Sequence, residues 1–446
     1  MQFELRLLRL LLLIAMVTVF AGETVAQSEL SGPSPTVESS TLQPPSDELN
    51  STADSDYLST QSLMSPDAVM NQLQQDQYDS AELFPIDRSG RWDEFKSRLK
   101  ERRALDIGID YNVLGLLATD SLGADEAAGG VWRTYGQWDL VSRDTPNTGS
   151  LVFKLESRHK FTSVSPLEFG PEVGYAGLTN TVYSDQNWRA THLYWQQQFN
   201  DGKAVSFIGF LDITDYVDVY AMASPWTGFS NLAFETGSGT IAGLPDGALG
   251  AMVGGFLNDH IYVVANIVDA NSDATDLLNG FDTFFNQFET FKSLEVGWTT
   301  AQDRLFIDNA HLTFWQIDER EAAGTPDGWG VSFSITQAVR DKVLLFARGG
   351  WSEDGASLYE TSVSAGLGYQ RTPGQGLFGL GLNWSRPNAD TFGPGLTDQF
   401  TMELFQRLEV TEKLQLTPSL QVIGDPALNP DDDGIAIFGL RARFVF

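Results

Sequence analysis

Two arginines stand at alternate positions, Arg441 and Arg443, in the stretch GIAIFGLRARFVF that ends the chain. The same every-second-residue spacing recurs with Lys154, Glu156 and Arg158 in SLVFKLESRHK and with Arg407 and Glu409 in FTMELFQRLEV, where Glu403 stands four residues earlier. Arg133, Glu295 and Arg348 occupy similar places among apolar neighbours. A guanidinium fork donates two hydrogen bonds to adjacent hydroxyls, and a carboxylate accepts two. Intermixed, they suit an uncharged, hydroxyl-rich solute better than an ion. Tyr135, Tyr194 and Trp315 are candidate rings for stacking on the C–H face of such a solute. The competing role for each charge is a wall residue in an ion-pair network.

Other chemistries find little footing. The chain has no cysteine, so disulfides and thiolate chemistry are not available to it. The four histidines, His159, His192, His260 and His311, form no metal-binding pair. Either His192 or His311 beside a serine would be the start of a hydrolase, but no spacing fixes a triad, and no catalytic residue is assigned. LNPDDDG (residues 428–434) clusters three carboxylates without the ligand spacing of a calcium loop, and reads as a solvated loop. No metal and no cofactor is expected. With 28 basic against 59 acidic residues, the net charge of −31 speaks against nucleic acid, whose phosphates need cationic surface.

Alternating charges need strands to position them. From Leu105 onward the hydrophobic period is two: Leu105, Ile107, Ile109, Tyr111 and Val113 alternate with Asp106, Gly108, Asp110 and Asn112. About sixteen such segments follow, each near the ~10 residues of a tilted membrane strand, with short turns alternating with long Gly/Asp/Asn/Pro-rich connections. Trp132, Trp138, Trp195, Trp298, Trp351 and Trp384 fall near segment ends, as an interfacial girdle would. The expectation is an all-β fold: a transmembrane antiparallel β-barrel over residues 105–446, closed because lipid tolerates no open sheet edge. A soluble sandwich also alternates, but charges inside strands favour the barrel. Arginine facing lipid at mid-membrane costs about 2–4 kcal/mol, which turns all these charges toward the lumen.

Upstream the organisation changes. Residues 1–26 read as a secretory signal, with Arg6 and Arg9 before the apolar run LLLIAMVTVFA and Ala26 at the cleavage point. Residues 27–87 contain neither Lys nor Arg up to Asp87 and are rich in Ser, Thr, Pro and acid, the composition of a disordered periplasmic spacer. A short helix is allowed within it at MSPDAVMNQLQQ, from Met64. Residues 88–104 form an amphipathic helix, with Trp92, Phe95 and Leu99 on one face.

The stretches VLLFARGGWSEDG, GLFGLGLNWSRPNAD, FTMELFQRLEVTEKLQLTPSLQVIGDPALNPDDDG and FGLRARFVF, with LYWQQQFNDGKAVSFIGFLD and NIVDAN upstream, carry a resemblance. They resemble the OprB-type carbohydrate-selective porins of the outer membrane. WDEFKSRLKERRALDIGIDY resembles the family's N-terminal helix and first strand, with Trp92-Asp93-Glu94 where Trp-Gly-Gly is usual. The resemblance implies a sixteen-stranded barrel in the outer membrane of a Gram-negative bacterium, with passive diffusion of small carbohydrates and no enzyme activity. Its partners would be carbohydrate solutes, outer-membrane lipid and lipopolysaccharide, with monomer and homotrimer both open. The channel-lining residues assigned are Arg348, Glu403, Arg407, Arg441 and Arg443 in the resembling segments, then Arg133, Glu156, Arg158 and Glu295. Residues 223–245 are the candidate loop to fold inward and narrow the pore. The alternatives are a general diffusion porin without a sugar site, a barrel-borne lipid hydrolase, and an envelope anchor for the acidic spacer.

Overall fold

Strict alternation leaves each segment one wet and one apolar face, and in the computed structural model sixteen segments pair edge to edge into one closed antiparallel barrel. The structure describes residues 65–76, 83–84, 90–243, 245–340, 342–370 and 376–446. All lie in one compact unit, Tyr57–Phe446. The signal segment and the spacer up to residue 64 lie outside the described residues.

The strands are β1 (Leu105–Ala118), β2 (Glu126–Val141), β3 (Gly149–Lys160), β4 (Asn187–Phe199), β5 (Ala204–Leu211), β6 (Ala248–Phe256), β7 (Ile261–Asp269) and β8 (Thr290–Thr299). Then follow β9 (Asp308–Ile317), β10 (Gly328–Val339), β11 (Val343–Asp354), β12 (Tyr359–Tyr369), β13 (Leu377–Pro387), β14 (Gln399–Thr411), β15 (Leu414–Gly424) and β16 (Gly434–Val445). Each pairs with its sequence neighbours, and β16 returns to β1 in a register running from Asp110 opposite Val445 to Ala118 opposite Ile437. The chain's last residue shares in this seam, the Phe446 N–H donating to the Ile109 carbonyl at 2.9 Å.

Outward positions carry exposed apolar side chains, among them Ile208, Val253, Leu312, Phe314, Ile335, Leu382 and Phe438. Trp138 and Trp298 stand at the short-turn end of the barrel and Trp329, Trp351 and Trp384 at the long-loop end, giving two aromatic levels. Two helices precede the barrel: α1 (Val69–Gln75) and α2 (Arg91–Arg103). Ala104, in the left-handed conformation with φ 54°, ends α2 one residue before β1 begins. From α2, Lys96 donates to the Phe446 carbonyl at 2.8 Å and Asp93 pairs with Lys413 at 2.9 Å, holding the helix against the barrel seam.

The interior departs from the sequence reading in one respect. Residues 65–76, which composition assigns to the disordered spacer, are ordered inside the barrel, with the helix allowed there present as α1. Ala68, Val69 and Leu73 join a core with the buried side chains of Tyr135, Val152, Val205, Phe207, Val264, Leu344, Phe346 and Phe405.

Candidate functional site in the lumen

Residues 212–247, between β5 and β6, fold into the barrel and cross it. The wall is cut back to receive them: Thr240 lies against Gly350, and a Cβ on Gly381 would stand 2.6 Å from the Phe234 ring. The inner end of the loop is pinned by wall charges. Arg441 donates to the carbonyls of Pro225 at 2.6 Å and Gly228 at 2.9 Å. Glu403 accepts from the N–H groups of Ser230 and Asn231, each at 2.9 Å. Arg407 donates to the Thr227 carbonyl at 3.1 Å and to Glu409 at 3.0 Å. Arg348 pairs with the Asp218 carboxylate, which His311 also meets at 2.9 Å, and Arg348 lies over the Tyr220 ring at 4.1 Å. Glu295 accepts from the Asp218 N–H at 2.9 Å and from the Tyr262 hydroxyl at 3.0 Å.

A second group of charges holds residues 65–76. Arg443 donates to Asp76 at 2.7 Å and to Asp110 at 2.9 Å, and Arg133 is forked onto the same Asp110, its Nε at 2.8 Å. Tyr135 donates its hydroxyl to Asp76. With the Gln72 amide oxygen turned to it, Arg133 donates there at 2.7 Å. Above α1, the Ser65 N–H donates to the Asp215 carbonyl at 2.9 Å and Ser224 donates to Asp67 at 2.6 Å.

Between the loop and the β3 wall is a cavity of about 400 Å³. Its wall is Lys154, Glu156 and Arg158, its floor Ser65 and Asp67, and its far side Asp212, Asp215, Trp226, Glu235 and Asp246. The charges are paired: Lys154 with Asp215 at 2.7 Å, and Arg158 with Glu156 at 2.6 Å and Asp246 at 2.9 Å. Arg189 also reaches Asp246. Burial would raise Asp215, but Lys154 and then His192 hold it well below the usual carboxylate range. The other acids are shifted upward instead. Burial, then the Asp215 charge, pushes Asp67 up to about 7. Burial, then Asp215 and Asp246, does the same to Asp212, also about 7. Burial raises Glu235 well above its ordinary value, with Asp67 and Glu403 adding to the effect. Thr181 donates to Glu235 Oε2 at 2.8 Å, while Oε1 has no hydrogen-bond partner among the described residues. Trp226 offers the ring at this site, with Arg133 stacked on it at 3.9 Å.

The residues assigned from sequence are thus all buried inside the barrel but fall into three groups. Glu156 and Arg158 line the cavity. Arg348, Glu403, Arg407, Arg441 and Glu295 grip the inward loop, and Arg133 and Arg443 grip the 65–76 segment. The expected stacking rings are spent on packing: Tyr194 bonds Tyr216 at 2.8 Å, and Trp315 stacks on Phe291. Trp226, Glu235, Asp212 and Asp67 escaped the strand pattern because they lie on irregular segments; the only sequence signal was the length of the 212–247 connection.

Residues 306–446 match the profile described as "Carbohydrate-selective porin, OprB family". Among solved structures, Pseudomonas putida OprB at high pH superposes with a TM-score of 0.65 at 16% identity, over 82% of this chain and 99% of that one. At that identity the likeness is one of fold. The same protein at low pH gives a TM-score of 0.47 at 13% identity (83% and 100% covered), and a Rh. blastica porin mutant 0.47 at 11% (77% and 100%). No curated protein matches the sequence. The protein has the barrel fold of the porins, and the resemblance of its C-terminal third, residues 306–446, to the carbohydrate-selective porins of the OprB family is borne out.

Proposed function

We propose that this porin passes small neutral carbohydrates passively across the outer membrane of a Gram-negative cell, the cavity beside β3 being where they bind. The observation that carries the reading is the state of that cavity's charges. On the wall and the loop, Asp215, Glu156 and Asp246 are matched by Lys154, Arg158 and Arg189, while Asp212 and Glu235 are driven toward the protonated form. What remains is a pocket dense in hydrogen-bond donors and acceptors with little net charge, which complements a polyol. Glu235 and Trp226 line the cavity, Trp226 supplying an apolar face. Binding there must be weak, because a channel that holds its solute tightly does not conduct it. The family match over residues 306–446 supports the same solute class. Lipid and lipopolysaccharide would meet the exposed apolar belt, and a homotrimer would use part of it.

Liposome swelling with glucose, a neutral amino acid and a sugar acid tests the reading. The expected result is a glucose rate above the size-corrected rates of the other two, with the excess lost in Glu235→Ala. Equal size-corrected rates would identify a general diffusion porin instead.

A further inference from the structure

We infer that residues 65–76 are a tethered plug: a stretch of the chain's own N-terminal region seated in the lumen, which must leave for the channel to conduct. Three observations carry this. The segment is buried, with Asp67, Ala68, Val69, Asn71, Gln72 and Leu73 all nearly inaccessible. It occupies the lumen beside the cavity, since Ser65 and Asp67 line the cavity and the helix beyond packs into the lumenal core. Besides the apolar contact of Ala68, Val69 and Leu73, its holds are polar and of a kind that water can replace: Asp76 on Arg443, Ser224 on Asp67, and the Lys154 ammonium on the Asp67 carbonyl at 3.5 Å.

The barrel does not need this segment for closure. All sixteen strands are paired with one another around the ring, and β1 meets β16 directly. Release therefore breaks side-chain contacts and the Ser65–Asp215 backbone bond, and leaves the strand ladder intact. The plug also explains why Arg133 and Arg443, two arginines of the wall, converge on one carboxylate, Asp110. Together they make a cationic seat for Asp76 and Gln72. The inference holds for any solute and does not depend on the sugar preference. The plug is read in absolute flux, the preference in ratios of flux.

The absence of native cysteine makes a covalent lock specific. Ser224 Oγ and Asp67 Oδ1 lie 2.6 Å apart, so Asp67→Cys and Ser224→Cys can be joined by a short bis-thiosulfonate linker, the oxidised form, and freed by reduction. The full-length double variant would be measured in planar bilayers and in glucose-loaded liposomes, oxidised and then reduced. In parallel, residues 65–76 would be replaced by a Gly/Ser linker of equal length. Heat-modifiable mobility would confirm folded barrels. The expected result is conductance and flux at least tenfold lower in the oxidised form than in the reduced form, with the linker variant open throughout. An oxidised form that conducts as well as the reduced one overturns the inference whatever the linker variant does, because solute would then be passing a seated segment.

Discussion

Arg441 looks, in sequence, like a solute-binding residue, and in the folded chain it is a clamp on two loop carbonyls. Such a residue is expected to set pore size rather than affinity. Arg441→Ala leaves the Pro225 and Gly228 carbonyls without their donor, at about 1–3 kcal/mol for each buried group unsatisfied. The expected outcome is a larger and noisier single-channel conductance with weaker discrimination among sugars, in a barrel that still shows heat-modifiable mobility. Asp67 makes a different prediction at the same scale. Its carboxyl is raised from 3.8 to about 7, so the stability its protonated form gives the seated segment is full below about pH 4 and lost as pH rises through 7. Facing it are Asp215, Ser224 and Glu235 from the loop, Lys154 from β3 and Arg133 from β2. Asp215 favours the proton, whereas Lys154, Arg133 and Ser224 oppose it. Conductance should therefore climb between pH 5 and pH 8. Asp212, also near 7, titrates in the same window. The slope should shrink in Asp67→Asn and vanish in the double variant with Asp212→Asn; a slope unchanged in both would show that neither carboxyl controls the opening.

At the scale of elements, the inward loop depends on a wall with side chains missing. Gly381→Val would drive β13 into Phe234, so the loop must shift while the ladder, which needs only backbone, persists. A widened pore with faster, less selective swelling is the expected result. Outside the barrel the segment after β7 behaves in the opposite way. Residues 279–287 lie over outward-facing Phe210, which Phe281 covers at 5.5 Å between ring centres, and they leave Leu278, Phe285 and Phe288 exposed beside the belt of Ile208 and Val253. Such a face belongs in acyl chains. Fluorescence of a Phe285→Trp variant in liposomes should be quenched by lipids brominated on their chains and little affected by aqueous iodide. The strand elements were legible because lipid on one side and water on the other enforce a period of two with little tolerance. The 65–76 element was half legible. Its helix could be read, but its burial could not, because polar segments of that composition stay disordered when they lack partners. Here Arg133, Arg443 and Lys154, far away in sequence, supply them.

For the whole molecule, the same distinction separates what pattern shows from what it hides. Alternation assigns Arg133, Glu156, Arg158, Glu295, Arg348, Glu403, Arg407, Arg441 and Arg443 to the interior, where the structure holds them buried. It says nothing of whether an inward charge meets solute, loop or plug, because that depends on which irregular segments return to the lumen. The charge balance shows the consequence. The chain carries −31 overall, yet the cavity pairs some of its acids with cations and holds the others toward the protonated form, so most of the excess lies elsewhere. Charges away from the cavity act on permeating ions through solvent, and at 0.15 M salt their reach falls to about 8 Å, against about 30 Å at 0.01 M. The channel should therefore prefer cations in dilute salt and lose most of that preference as salt rises, while glucose flux stays level. Reversal potentials in KCl gradients at several mean concentrations measure the first effect, and swelling rates at the same concentrations the second. Screening is weak inside the cavity, so a wild-type preference that survived high salt would mean that the cavity itself carries the charge.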